Sequence, residues 1–165
     1  VITLPRLYVI CDAEVCARAG WPLVDYAAAC MDGGATLLQI RAKQSASNRF
    51  LDEVSRIVER SRDFSAAIVV NDRADIARLA GAQGVHVGQD DLTPVAVRRL
   101  LGVDAIVGWS THTSAQVEQA LHEPITYLAI GPTFDTATKD TGYEAVGLER
   151  VRNAARHAAP QLPVV

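Results

Sequence analysis

VVNDRADIARLAGAQGVHVGQDDL, residues 69–92, holds one full structural repeat of the chain. Two short apolar runs, VV and GVHVG, bracket a helix-like ADIARLAG that ends on Gly81. Asn71-Asp72 follow the first run at once, and Gln89-Asp90-Asp91 follow the second. A strand, a crossing helix and a second strand read as a βα unit feeding its neighbour, with the two strands parallel.

The alternation extends in both directions. LYVIC (7–11), TLLQI (36–40) and AAIVV (66–70) read as strands. PLVDYAAACMDGG (22–34) reads as a helix with a glycine stop. In SNRFLDEVSRIVERS (47–61), Phe50, Leu51, Val54, Ile57 and Val58 fall on one helical face. Downstream, PVAVRRLLG (94–102) opens on a proline suited to a first turn. AIVGWS (105–110) and YLAIG (127–131) are strands, and Thr113 with Gln116 fit a capping box for the helix between them. A helix is expected near 148–159, and PVV (163–165) reads as the start of a seventh strand.

These strands are almost unbroken apolar runs, as required when helices cover a parallel sheet. Strict alternation admits an open doubly wound sheet or a (β/α)8 TIM barrel. No G-x-G-x-x-G follows the first strand, which weakens the dinucleotide-binding alternative. Asp12, Arg41, Asn71-Asp72, Gln89 and Ser110 all end strands, and in a barrel such ends converge on one mouth. The expectation is therefore a single barrel domain over residues 1–165. Such barrels take about 200 residues or more, and this chain stops inside its seventh strand. The barrel is expected to be truncated there, without its strand-eight region.

Composition narrows the function. Hydrophobic residues at 49% and charged residues at 21% describe a globular chain with a real core. A net charge of −3 leaves no footprint for nucleic acid, although a local pocket of a few cations could still hold a phosphorylated small molecule. No apolar run approaches the roughly 20 residues of a membrane-spanning helix. Cys11, Cys16 and Cys30 form no C-x-x-C pair and are expected to be free thiols in a reducing cytoplasm.

Several residues could carry chemistry. In QIRAK, alternation turns Gln39, Arg41 and Lys43 to one side, where an amide and two cations suit a phosphate or pyrophosphate. Asp72 and Asp91, at neighbouring strand ends, could give Mg2+ the one or two carboxylates it takes beside substrate phosphates. The alternative for Asn71-Asp72 and Asp90-Asp91 is turn and cap chemistry. In GWSTHT (108–113), Ser110, Thr111 and His112 could hold a phosphate or simply cap a helix. GPTFDTATKDTG (131–142), with Thr136, Thr138 and Lys139, reads as a phosphate-grasping loop. His86 inside its apolar strand reads as a satisfied core histidine; His122 and His157 lie near helix ends, in solvent.

Together LLQIRAK, VVNDRADIARLAGAQGVHVGQDDL, VGWSTHT and IGPTFDTATK resemble the successive motifs of the thiamine-phosphate synthase family, in its order and spacing. That family is a (β/α)8 barrel. It joins an aminopyrimidine diphosphate to a thiazole phosphate, releasing pyrophosphate and giving thiamine phosphate. The resemblance implies that Gln39, Arg41, Lys43 and Asn71 bind the pyrimidine diphosphate, and that Asp72 and Asp91 hold Mg2+. It implies that Ser110 and Lys139 contact the same substrate, with Thr136 and Thr138 on the thiazole phosphate side. Arg41, Lys43 and Lys139 would stabilise the departing pyrophosphate. A homodimer is compatible with the sequence.

Two alternatives stand beside the synthase. A related thiazole tautomerase often lacks the full acidic set and carries a histidine where this chain has Pro132; a non-catalytic phosphate-binding barrel is the other. Ala42 replaces an acidic residue common in the family and should point away from the pocket. Trp109 is bulkier than the residue usual at its position. Loss of strand eight would weaken the thiazole phosphate site.

Overall fold

The computed structural model describes residues 4–134, 145–159 and 161–165. Six parallel strands form one sheet: β1 (Val9–Asp12), β2 (Leu37–Arg41), β3 (Ala67–Asn71), β4 (Gly84–Val87), β5 (Ile106–Thr111) and β6 (Tyr127–Ile130). The described helices are α1 (Ala13–Arg18), α2 (Leu23–Asp32), α3 (Ser47–Ser61), α4 (Ala74–Ala80), α5 (Pro94–Leu101), α6 (Ser114–Ala120) and α7 (Gly147–Ala158). The strand order is β1-β2-β3-β4-β5-β6, so each strand pairs with its sequence neighbour. A doubly wound sheet reverses its order at a switch point; this one does not.

The sheet is curled. Tyr8, just before β1, and Tyr127 in β6 stand at opposite edges of the strand order, yet their hydroxyls lie 2.8 Å apart. A flat sheet would hold its first and sixth strands about 24 Å apart, at about 4.8 Å per spacing. Alternation along each strand then separates two environments. Leu37, Val69, Ile106 and Tyr127 pack together on the concave side, with Leu4, Tyr8 and Ala67 against them. Leu38, Ile40, Ile68, Val70, Val85, Val107 and Leu128 face the helices and merge with their apolar faces.

Local sequence explains the helices. The α3 face buries Phe50, Val54, Ile57 and Val58, each contributing about 1.5–3 kcal/mol by leaving water. Truncating Ile57 to alanine would cost about 2–5 kcal/mol. Thr93 caps α5 ahead of Pro94, and Thr113 with Gln116 completes the capping box of α6. Gly81 ends α4 with a left-handed backbone (φ 71°) that a side chain would strain.

One helix escaped the sequence reading. Asp12 ends β1 and also caps α1, its Oδ1 accepting from the backbone N–H groups of Glu14 and Val15 at 3.0 Å each. At the other edge, residues 163–165 run beside β6: Leu128 N donates to Pro163 O at 3.1 Å and Val165 N to Leu128 O at 2.9 Å. The seventh strand expected from PVV is present as this short parallel bridge. Cys11, Cys16 and Cys30 are free, and burial is the main cause that pushes the Cys11 thiol up. Among the described residues, no helix is long and apolar enough to cross a membrane.

Candidate functional site

The C-terminal ends of the strands gather the polar residues that the sequence singled out. Gln39, Arg41, Asn71 and Ser110 line one cavity of about 460 Å³ in the concave face, together with Tyr8, Asp12, His86 and Tyr127. Gln39, Asn71, His86 and Ser110 are buried among the strands. A cavity of about 590 Å³ between α6 and α7 is larger, but its lining of Glu118, Glu149, Arg150 and His157 holds none of the strand-end amides or carboxylates. The strand-end residues that the sequence singled out therefore line the smaller, concave one.

Two ion pairs shape the mouth. Arg41 is paired through Nη1 with Asp12 Oδ2, leaving its other N–H donors for a ligand. Lys43 lies beyond the end of β2, and its Nζ reaches Asp72 Oδ2 at 3.4 Å. Both side chains of that pair are partly in water, so it contributes no more than about 1 kcal/mol. Its value is in placing an ammonium beside a carboxylate.

Asp72 holds an unusual backbone, with φ of 62°. Aspartate tolerates that left-handed region better than most residues. The turn is tied down by Asp72 N donating to His86 O at 2.8 Å and Arg73 N donating to Asn71 O at 2.7 Å. Arg73, not Asp72, sits at the start of α4, so the helix-cap alternative fails for Asp72. Burial, followed by the negative charge of Asp91, pushes the Asp72 carboxyl above its ordinary value, while Lys43 opposes the shift. Two carboxylates from neighbouring strand ends thus crowd each other beside one cation.

Turn chemistry does hold for one oxygen of Asp91: Oδ2 accepts from Gly88 N at 2.7 Å, folding the segment back on itself. Trp109 braces that turn, its Nε1 donating to Gly88 O at 3.2 Å. Gln89 Nε2 donates to Ser110 O at 2.5 Å, locking the end of β4 to β5. Asp90 is exposed, and Thr93 caps the helix that follows.

Elsewhere capping prevails over phosphate binding. The backbone N–H groups of His112 and Thr113 donate to Gln116 Oε1 at 2.7 and 3.2 Å. Thr111 is fully buried and gives its hydroxyl to Ala129 O at 2.9 Å. Ala42 packs into the helix-side core, away from the cavity as expected. His157 is half exposed and meets Glu118 at 2.5 Å, while His122 is largely in solvent. Thr136, Thr138 and Lys139 lie outside the described residues.

Sequence reasoning missed Tyr8, Tyr127 and the partnership of Asp12 with Arg41. It recognised His86 as satisfied but not as a cavity wall: Nδ1 meets the Tyr127 hydroxyl at 3.0 Å and Nε2 meets Ser110 Oγ at 2.8 Å. The available signal was phase. Tyr8, Gln39, His86, Ser110 and Tyr127 all occupy the concave set of alternate positions.

The chain matches the family model described as thiamine monophosphate synthase over residues 7–165. It is 41% identical over 153 residues to a thiamine-phosphate synthase of Koribacter versatilis, covering 92% of this chain and 72% of that one. It is 37% identical over 134 residues to one from Caldicellulosiruptor saccharolyticus, covering 81% of this chain and 61% of the relative. The solved thiamine phosphate pyrophosphorylase of Pyrococcus furiosus superimposes with a TM-score of 0.80 at 26% identity, over 95% of this chain and 71% of that one. The chain thus spans about three fifths to three quarters of the length of these relatives.

Proposed function

The chain belongs to the thiamine monophosphate synthase family, and from that premise we propose that its concave site couples an aminopyrimidine diphosphate to a thiazole phosphate. The products are thiamine phosphate and pyrophosphate. We read residues 1–165 as one domain that winds the first seven strands of a (β/α)8 barrel. The observation that carries the functional reading is the mouth itself. Asp72 and Asp91 crowd each other beside Lys43, and Asp72 directly follows Asn71, which lines the cavity with Gln39, Arg41 and Ser110.

The donor set suits Mg2+. Asp72 and Asp91 offer hard oxygens, and a divalent cation held by them would relieve their mutual repulsion. Two carboxylates are enough for an ion that takes its remaining ligands from phosphate oxygens and water. Bound there, Mg2+ would neutralise charge on the departing pyrophosphate.

The chain's own groups supply the rest. Arg41 offers a planar fork to phosphate oxygens, and Lys43 a movable point charge. Lys139 would add a third cation, with Thr136 and Thr138 toward the thiazole phosphate. Gln39, Asn71 and Ser110 orient the pyrimidine end. The carbon–oxygen bond to the diphosphate breaks with its electron pair leaving on oxygen. The thiazole nitrogen lone pair then forms the new carbon–nitrogen bond. No proton is exchanged in that balance, so the site needs fixed positive charge and orientation more than a general base.

The test is direct. The two substrates are incubated with the chain, with and without Mg2+, and thiamine phosphate and pyrophosphate are quantified. Equimolar, Mg2+-dependent formation of both is expected. Isomerised thiazole with no coupling would replace the synthase reading with the tautomerase one; tight pyrophosphate binding without turnover would leave a binding barrel.

A further inference from the structure

Five polar side chains inside the curl form one unbroken line of hydrogen bonds, of which the functional reading uses only the ends. Gln39 Nε2 donates to the Tyr8 hydroxyl at 3.0 Å. The Tyr8 and Tyr127 hydroxyls lie 2.8 Å apart. Tyr127 reaches His86 Nδ1 at 3.0 Å, and His86 Nε2 reaches Ser110 Oγ at 2.8 Å. The line crosses the interior from β2 to β6 and returns through β4 to β5.

We propose that Tyr8, Tyr127 and His86 are positioning residues, whose hydrogen-bond line presents Gln39 to the ligand as an acceptor and Ser110 as a donor. The inference rests on the assignment of Gln39 and Ser110 to the aminopyrimidine diphosphate. Its logic is proton counting. An amide nitrogen can only donate, so the Tyr8 oxygen accepts from Gln39, and in the proposed direction it passes its own proton to Tyr127. Tyr127 then donates to Nδ1, which places the imidazole proton on Nε2 and directs it at Ser110. Ser110 keeps its own hydroxyl proton to give into the cavity, and Gln39 keeps Oε1 to receive.

The geometry holds that direction. The Tyr127 ring stacks on His86 with centroids 5.6 Å apart and planes 19° apart, and it meets Tyr8 edge to face at 5.7 Å. It lies so close over Gly108 that a Cβ there would collide with Cζ and the hydroxyl of Tyr127. Neither phenol ionises in the working range: burial pushes Tyr8 up to about 12, and burial pushes Tyr127 further. With both phenols protonated the line can run in the proposed direction from end to end, and breaking one link frees both ends to turn.

A double-mutant cycle tests this with Tyr127→Phe, which removes one oxygen and keeps the ring, and Ser110→Ala. kcat and KM for the aminopyrimidine diphosphate are measured in all four chains. Tyr127→Phe is expected to lower kcat/KM about five- to tenfold in the wild-type background and by a clearly smaller factor in the Ser110→Ala background, where only the Gln39 end is left to turn. The same factor in both backgrounds would overturn the proposal. If Tyr127→Phe loses its fold by circular dichroism, Tyr8→Phe breaks the same line one link earlier. If the wild-type chain makes no product, the functional reading fails, and 15N spectra of the His86 ring decide the line by themselves. The wild-type proton is expected on Nε2, with Nδ1–H gaining population in Tyr127→Phe. A wild-type proton on Nδ1 would sink the proposed direction.

Discussion

Replacing Asp72 with asparagine keeps the size of the side chain and its tolerance of a left-handed backbone, but removes the charge. A carboxylate about 2.1 Å from a divalent ion contributes about 4 kcal/mol even at the dielectric constant of water. The asparagine oxygen recovers part of that as a neutral ligand. The remaining loss is about 2.7 kcal/mol, or a hundredfold in affinity. At a concentration of Mg2+ with pyrophosphate a hundred times the wild-type Kd, binding stabilises the native wild type by about 2.7 kcal/mol. The same concentration only equals the Kd of Asp72→Asn and stabilises it by about 0.4 kcal/mol. A chain of 165 residues shifts about 2–4 °C per kcal/mol. Thermal scans should show a rise of about 5–11 °C for wild type and about 1–2 °C for the variant.

Metal-free protein should show the opposite order. Burial and Asp91 raise the native Asp72 pKa above the model-compound value of 3.8. As pH rises through that window, the unfolded chain loses this proton first and the native chain binds more, so stability falls. Asparagine removes that fall, so in EDTA above the window Asp72→Asn is expected to be the more stable chain. Equal Mg2+-dependent shifts for both chains would refute the metal assignment. A metal-free variant less stable than wild type would refute the electrostatic account.

Three further perturbations probe the supports of the site. Gly108→Ala drives a methyl into Tyr127 and His86 and should cost about 2–4 kcal/mol in urea unfolding; a loss below about 0.5 kcal/mol would contradict the close packing. Asp12→Ala removes the cap of α1, costing about 1–2 kcal/mol, and releases Arg41. Pyrophosphate affinity measured by calorimetry should then rise about twofold or more, since Arg41 no longer shares its donors with a neighbouring carboxylate; a fall would show that the pair orients Arg41 instead. Trp109→Phe keeps the ring in the core and deletes its bond to Gly88, costing about 1 kcal/mol of stability. It should also weaken Mg2+ binding by loosening the turn that carries Asp91, and unchanged Mg2+ affinity would separate Trp109 from the site.

What the sequence made legible follows periodicity. The run of Leu37, Gln39 and Arg41 alternating with Leu38 and Ile40 told which side chains share a face, and β2 places them so. The winding was legible from strand ends, because Asp12, Arg41, Asn71 and Ser110 make sense only where strand ends meet. The cross-interior partners were not. Tyr8 and Tyr127 are 119 positions apart, and nothing local says that their hydroxyls meet. Asp12 was legible as a strand end, but its second oxygen also captures Arg41 from the next strand, a pairing set by register. For Asp91 the turn reading holds through one carboxylate oxygen, which accepts from Gly88 N, while the residue's charge also acts on Asp72, a long-range effect that no local pattern displays.

The left-handed turn at Asp72 carries a consequence for how such a site can diverge. The backbone there admits aspartate, asparagine and glycine with little strain and resists β-branched side chains. Asparagine and glycine are each one nucleotide away from an aspartate codon. A lineage can therefore give up the charge of this position by a single step that leaves the fold nearly untouched, whereas regaining a carboxylate through any bulkier residue would first require an unstable ancestor. The barrier against drift at Asp72 lies in its charge and not in its folding, so descendants whose chemistry does without that carboxylate have an open road away from it.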